Sequence, residues 1–377
     1  MDKHKQAAVG PALLAAAMLL PGVAHAETAP ERGAISFKYL DYREDQSGLD
    51  RIRVHAPAIS VMAPVAGEWS ISASATSDAV SGATPRYHTA VSGASRMSDD
   101  RKAGDVSVTR YLPGGTVSVG TAFSTEHDYR SRALSLQATI DSADKNTIWA
   151  LGIGGSDDAI NPVNRIVTNE SRQTVNLLAG VTQVFTPFDI GQLTYTYSTG
   201  HGYYSDPYKL VDNRPRTREQ HTVLAQWNHR FVALDATSRL SYRYYRDTFG
   251  ISAHTLSGEW VQSLAGGWTI TPALRLYTQR AADFYFDPVY DANIGAPFPP
   301  GYVFGGAAFT SADQRLSGFG AVTAGLKLAK QIDQDWSVDV KLERYQQRGA
   351  WRVFGSGSPG LAPLRATSLQ IGFTRLW

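Results

Sequence analysis

The 377-residue chain contains no cysteine. That removes disulfides, thiol nucleophiles and thiolate metal sites together. It also lacks long apolar runs: after residue 26 nothing approaches the ~20 residues that a spanning helix needs, and mean hydropathy is −0.24. A helical membrane protein is therefore excluded. A membrane barrel is not, because only every second residue of a spanning strand faces lipid. Charge of one sign is missing as well. The formal net charge is +2, without the basic excess that an electrostatic nucleic-acid binder needs. Sustained helical periodicity is absent after Glu27.

What is present points one way. Residues 1–26 read as a secretory signal: Lys3 and Lys5 start it, 7–20 form its apolar core, and Pro21-Gly22 ends the core. Ala24-His25-Ala26 then supplies small residues at a cleavage site before Glu27. Residues 27–377 follow as one domain, with no linker. They carry short alternating segments separated by Gly, Pro, Asn and Asp clusters, the pattern of half-buried strands. Trp336, Val338, Val340 and Leu342 alternate with Ser337, Asp339, Lys341 and Glu343. At the chain's end Leu369, Ile371, Phe373 and Trp377 alternate with Ser368, Gln370, Gly372 and Thr374. Aromatics make up 11% of the chain, with 18 Tyr and 8 Trp, a composition suited to girdles at two membrane interfaces.

Alternation alone does not separate a membrane barrel from a soluble sandwich. The connections do. Tight ones at 64–67, 113–115, 142–146, 187–189, 233–235, 265–267 and 331–335 interleave with mostly longer ones at 44–50, 78–104, 127–130, 155–172, 200–219, 247–250, 282–315 and 348–362. Outer-membrane barrels sort their turns in this way, and a Greek-key sandwich has no reason to. The expected fold is all-β: a transmembrane antiparallel up-and-down β-barrel of about 16 strands, with 14–18 as the range and both termini periplasmic. Export by the signal peptide would place it in the outer membrane of a Gram-negative bacterium. Its partners there would be outer-membrane lipid and the barrel-assembly machinery, reached through the C-terminal strand, with no nucleic acid. Arg375 is the misfit of that strand, on the lipid-face parity beside the last apolar pair. The longest connection, 282–315, is too rich in aromatics and proline for a disordered tail.

Five stretches beginning at Asp78, Glu126, Asp206, Tyr242 and Tyr277 read Asp-Ala-Val-Ser-Gly-Ala-Thr-Pro, Glu-His-Asp-Tyr, Asp-Pro-Tyr-Lys, Tyr-Arg-Tyr-Tyr-Arg-Asp-Thr-Phe-Gly and Tyr-Thr-Gln-Arg-Ala-Ala-Asp-Phe-Tyr. Together they resemble an uncharacterised family of Gram-negative outer-membrane barrel proteins, catalogued as domain of unknown function 3570. The resemblance implies the barrel and its location, and supplies no activity and no catalytic residues.

If the apolar residues face lipid, the opposite parity lines the lumen. It holds Lys38, Arg51, Arg53, Arg230, Arg239, Arg243, Arg275, Lys327 and Lys341, with Glu259, Asp339 and Glu343 as acidic partners. Such a basic wall would raise local anion concentration in a porin-like passive channel for small solutes. The bland alternative is that these charges pair and fill the barrel. The protein would then be a non-conducting scaffold whose loops bind a periplasmic or surface partner, a protein or a glycan. A third reading is a surface hydrolase built from loop-base residues His127, Asp128, Asp247, His254 and Asp283, where a base beside a carboxylate would activate water. No Gly-x-Ser-x-Gly elbow accompanies them, and adjacent His127 and Asp128 would point to opposite faces of a strand. The expectation is no enzyme, no cofactor and no metal: the Asp spacings match no calcium loop.

Overall fold

The computed structural model describes residues 28–46, 49–83, 96–209, 211–288 and 298–377, with the side chains of 49–51, 80–83 and 96–99 left out of the description. Its strands in chain order are β1 Ala34–Gln46, β2 Leu49–Val65, β3 Trp69–Ala83, β4 Arg96–Leu112, β5 Gly115–Thr125 and β6 Tyr129–Asp141. They continue as β7 Thr147–Ile160, β8 Glu170–Thr186, β9 Asp189–Gly202, β10 Asp212–Asn213, β11 Thr217–Phe231 and β12 Ala236–Asp247. The last six are β13 Ser252–Leu264, β14 Trp268–Gln279, β15 Thr310–Ser311, β16 Phe319–Gln331, β17 Trp336–Arg348 and β18 Leu364–Leu376. All but β10 and β15 form one closed antiparallel barrel of sixteen strands, each paired with its neighbours along the chain, and β18 returns to β1. The two short strands pair with each other between loops.

Closure falls where the alternation of the last strand points. Ile35 is in register with Arg375, Phe37 with Phe373 and Tyr39 with Ile371. The final residue extends the seam: Gly33 and Trp377 exchange backbone hydrogen bonds at 3.0 and 3.1 Å. The indole occupies the space that a side chain at position 33 would take, which glycine leaves open.

The tight turns and the termini share one end of the barrel, and the long connections share the other. At the turn end the chain reverses with residues in left-handed conformation, such as Ala66 and Gly67 between β2 and β3. Gly266 and Gly267 do the same between β13 and β14.

In an antiparallel ladder directly opposite residues share a face, so the register separates the two surfaces. The outer surface carries the large apolar side chains, exposed all round: Phe37, Ile71, Leu136, Leu151, Leu274 and Leu342 are examples. A continuous belt of this kind is stable only against a non-polar medium. At its turn-end edge three cross-strand pairs repeat one motif, a cation on an indole. Arg110 lies over Trp69 at 5.2 Å, Lys330 over Trp268 at 5.2 Å and Arg375 over Trp336 at 5.3 Å. Arg375 is thereby accommodated on the outer face. At the loop-end edge a second motif repeats: Tyr39, Tyr195 and Tyr242 meet the Nδ1 atoms of His55, His221 and His254 at 3.0, 2.7 and 2.7 Å. Aromatic residues thus border the belt on both sides.

Candidate functional site

The inner surface divides around its circumference. On β5 to β9 most inward positions are small or hydroxylic, among them Ser118, Gly120, Ser135, Gly152 and Thr196. Between Asp141 near the turns and the Asp158–Arg172 pair near the loops, this wall carries no inward charge. From β11 round to β1 the wall is charged. The register turns Lys38, Arg230, Arg239, Arg243, Arg275, Lys327, Asp339, Lys341 and Glu343 inward. Arg53 departs from the expected arrangement. It is in register with Arg43 and shares the outer face with Ile59 and Phe37, while Ile52 and Val54 point inward. That part of β2 lies past the apolar belt, where alternation no longer reports a lipid contact. Arg51 lies outside the described side chains.

The inward charges pair loosely. Arg239 lies 3.7 Å from Glu259, Lys327 3.7 Å from Asp339 and Lys341 3.0 Å from Glu343. Lys327 and Lys341 are directly opposite each other, so each takes a carboxylate rather than its cross-strand neighbour. Gly325 and Gly372 leave the space that Glu343 and Asp339 fill. Half of the Arg239 side chain (54%) and 41% of Lys327 remain exposed, on the inside of a closed wall. Lys38 and Arg275 have no ion pair among the described residues, and Arg243 lies over the Tyr245 ring at 5.9 Å. Arg230 pairs with Asp235 at the turn end. A recess of about 360 Å³ opens near the turns, lined by Lys38, Thr269, Lys327, Asp339 and Thr374 among others.

At the loop end the charges are packed. Two inward units have the same composition. Asp158 accepts from Arg172 Nε at 3.0 Å and Nη2 at 2.7 Å, and Arg172 also donates to the Tyr129 hydroxyl at 3.1 Å. Asp247 accepts from Arg218 Nε at 3.0 Å, the Tyr245 hydroxyl at 2.7 Å and the backbone N–H groups of Phe249 and Ile251. Each guanidinium lies on an aromatic ring, Arg172 over Tyr204 at 5.3 Å and Arg218 over Phe249 at 4.5 Å. Phe249, Ile251, Ala282 and Leu316 then form a buried apolar cluster, and Phe319, Ala321 and Leu361 form another against the inward Tyr277 and Tyr345.

Asp206, Asp212 and Arg214 of one connection and Asp313 and Arg315 of another meet in an ion network centred on the buried Asp313, with the Arg315 side chain still 46% exposed. Arg214 bonds Asp313 at 2.6 Å and Asp212 at 2.8 Å, and Arg315 bonds Asp206 at 2.8 Å and also Asp313. Burial alone would raise the Asp313 carboxyl, but Arg315, Lys209 and Arg214 outweigh it and hold it well below its usual range. Burial lowers the Lys209 amine against the pull of Asp313 and Asp206. The network extends sideways: Tyr208 donates to Asp128 at 2.8 Å, and Gly318 N–H donates to Ser358 at 2.8 Å. Connections from β5 to β18 are thus tied into one layer.

The loop-base residues do not gather. Asp128 is buried beneath Tyr208 and Asp247 within its arginine unit. His254 sits on the outer face with Tyr242, across the wall from Asp247. Asp283 is exposed and binds Arg280 at 2.6 Å, and His127 occupies the β5–β6 turn. Among the described residues no group of three or more His, Asp or Glu side chains could hold a metal ion.

A family profile described as protein of unknown function (DUF3570) matches residues 10–98 and 89–366. No curated protein matches the chain. Among solved structures it is similar to a bacterial polysaccharide outer membrane secretin, at 10% identity and TM-score 0.52, over 91% of this chain and 98% of that one. CdiB from Acinetobacter baumannii gives 8% identity and TM-score 0.49, over 90% and 60% of the two chains. OccK1 (OpdK) of Pseudomonas aeruginosa gives 12% and 0.41, over 92% and 98%. At 10% identity the likeness to the secretin concerns the fold alone.

Proposed function

The chain belongs to this family of unknown function, and from that premise we propose that it is an exported outer-membrane barrel of the channel type. It passes small solutes, anions in preference to cations, through an aqueous lumen. The observation that carries this reading is the half-exposed charge inside the closed wall. Inward cations outnumber inward carboxylates from β11 to β1, and Lys38 and Arg275 have no acidic partner among the described residues. A solvated charge at mid-height needs water beside it, and a surplus of one sign raises the local concentration of the other. Residues 1–26 would direct export, the termini would lie in the periplasm, and β18 would present the chain to the assembly machinery. Catalysis has no place in this reading, since its candidate residues are dispersed.

Reversal potential in planar bilayers under a salt gradient tests it. The wild type is expected to conduct with anion preference. A folded barrel that never conducts, at any voltage, would remove the channel. The packed loop layer supports a second reading for that case, a scaffold whose loops bind a partner protein or a glycan.

A further inference from the structure

The outer face changes character abruptly on four consecutive strands. On β17, β18, β1 and β2 the outward residues run apolar to Leu342, Leu369, Tyr39 and Ile59, and arginines follow toward the loops: Arg344 next on β17, Arg365 beyond Thr367, Arg43 beyond Asp41, and Arg53 beyond Pro57 and His55. Arg53 is directly opposite Arg43, Arg43 is opposite Thr367, and Thr367 is opposite Arg344. One rung higher, Arg365 stands opposite Asp45. With strands ~4.8 Å apart, the row from Arg53 to Arg344 spans roughly 14 Å.

Like charges directly opposite in a sheet destabilise it unless a counter-charge is supplied. Arg43, Arg344 and Arg365 share two outward carboxylates, Asp41 and Asp45. Asp41 accepts from Arg43 at 2.7 and 3.1 Å, and Asp45 lies 3.6 Å from Arg344. Side chains of Arg43 and Arg344 remain 59% and 44% exposed. Across the barrel the corresponding outward arginine, Arg132 on β6, is in register with Asp157. Arg130 and Arg246 also point outward near the loops elsewhere, but among the described residues only the seam gathers arginines on four adjacent strands.

We propose that this sector is a binding site for the phosphate of an anionic membrane lipid, the acyl chains lying on the apolar band below. Arginine forks match phosphate geometry, and a row at the edge of a lipid-facing belt meets headgroups rather than bulk solutes. The inference rests on the membrane placement proposed above, and not on conduction.

The test uses the full chain folded in phosphatidylcholine vesicles with or without phosphatidic acid, with heat-modifiable gel mobility as the readout of insertion. Bound lipid is then counted by native mass spectrometry. The wild type is expected to retain phosphatidic acid over phosphatidylcholine. The R43Q/R344Q/R365Q variant should lose about a hundredfold of that preference, each arginine near an anionic surface contributing roughly fivefold. The control Arg132→Gln should lose none. Failure to insert would overturn the membrane placement itself. Insertion with no phosphatidic acid preference, or with equal loss in the control, would overturn the site alone. Displacement of the lipid by inorganic phosphate at equal concentration would assign the site to free phosphate, and stoichiometric capture of an acidic protein instead would assign it to a protein partner.

Discussion

The ion pairs at the loop end and those on the lumen wall use the same residue types under opposite conditions. At the loop end Arg214 and Asp313 retain 9% and 0% of their side-chain exposure. On the wall Arg239 and Glu259 retain 54% and 41%. A buried pair stands on the completeness of its partners, because removing one leaves a charge away from water. A wet pair has water as an alternative partner, so it contributes little to stability and remains available to a passing ion. The loop layer is in this sense structural, and the wall is the surface that the proposed channel would use.

The largest effect should come from breaking the buried side. Asp313→Asn leaves Arg214, Arg315 and Lys209 without their common carboxylate and should cost about 3–5 kcal/mol of loop-layer stability. Limited proteolysis within 298–318 and a rise in single-channel conductance would register it. Asp339→Asn on the wall, in the same assays, should change stability by roughly 0–1 kcal/mol. Equal responses would erase the distinction.

Acidification should also separate the two regions. Asp313 has its pKa depressed below the ordinary 3.8. Its contribution is therefore full above that value and is lost only as pH falls through the lower folded value. The loop layer should stay protease-resistant at mildly acid pH and loosen only in strong acid. Loosening near neutral pH would contradict the carboxylate's role.

Smaller in stability, but decisive for the wall, is charge reversal. The K38E/R275E variant should shift the reversal potential toward cations while altering stability by no more than about 1 kcal/mol. An unchanged reversal potential would mean that ions do not pass this wall. The smallest effect belongs to the outer face: Arg375→Ala removes the cation from Trp336 and should cost about 0.5–1 kcal/mol, read as a slight fall in the unfolding midpoint with conductance intact.

Strand number and turn sorting were legible because they rest on local signals. Alternation is set by the pleat, and a tight reversal needs residues such as Ala66-Gly67 that tolerate positive φ. Most inward charges were legible for the same reason, since parity carries a face along a strand. Arg53 was misread where β2 leaves the apolar belt and Ile52 and Val54 turn inward instead. The Arg218–Asp247–Tyr245 unit left a trace, because Tyr245 and Asp247 are two apart on one strand. Its arginine is 29 residues away in sequence. Arg214 and Asp313 are 99 apart on irregular connections, with no period to read.

The amino-acid order by itself determined which face of each strand is apolar and where the chain reverses, since both follow from single residues and their immediate neighbours. Only the tertiary structure decided which charges are sealed and which stay wet. That depends on register between distant strands and on loops turning inward to exclude water from one end of the barrel, and no local pattern encodes where water is excluded.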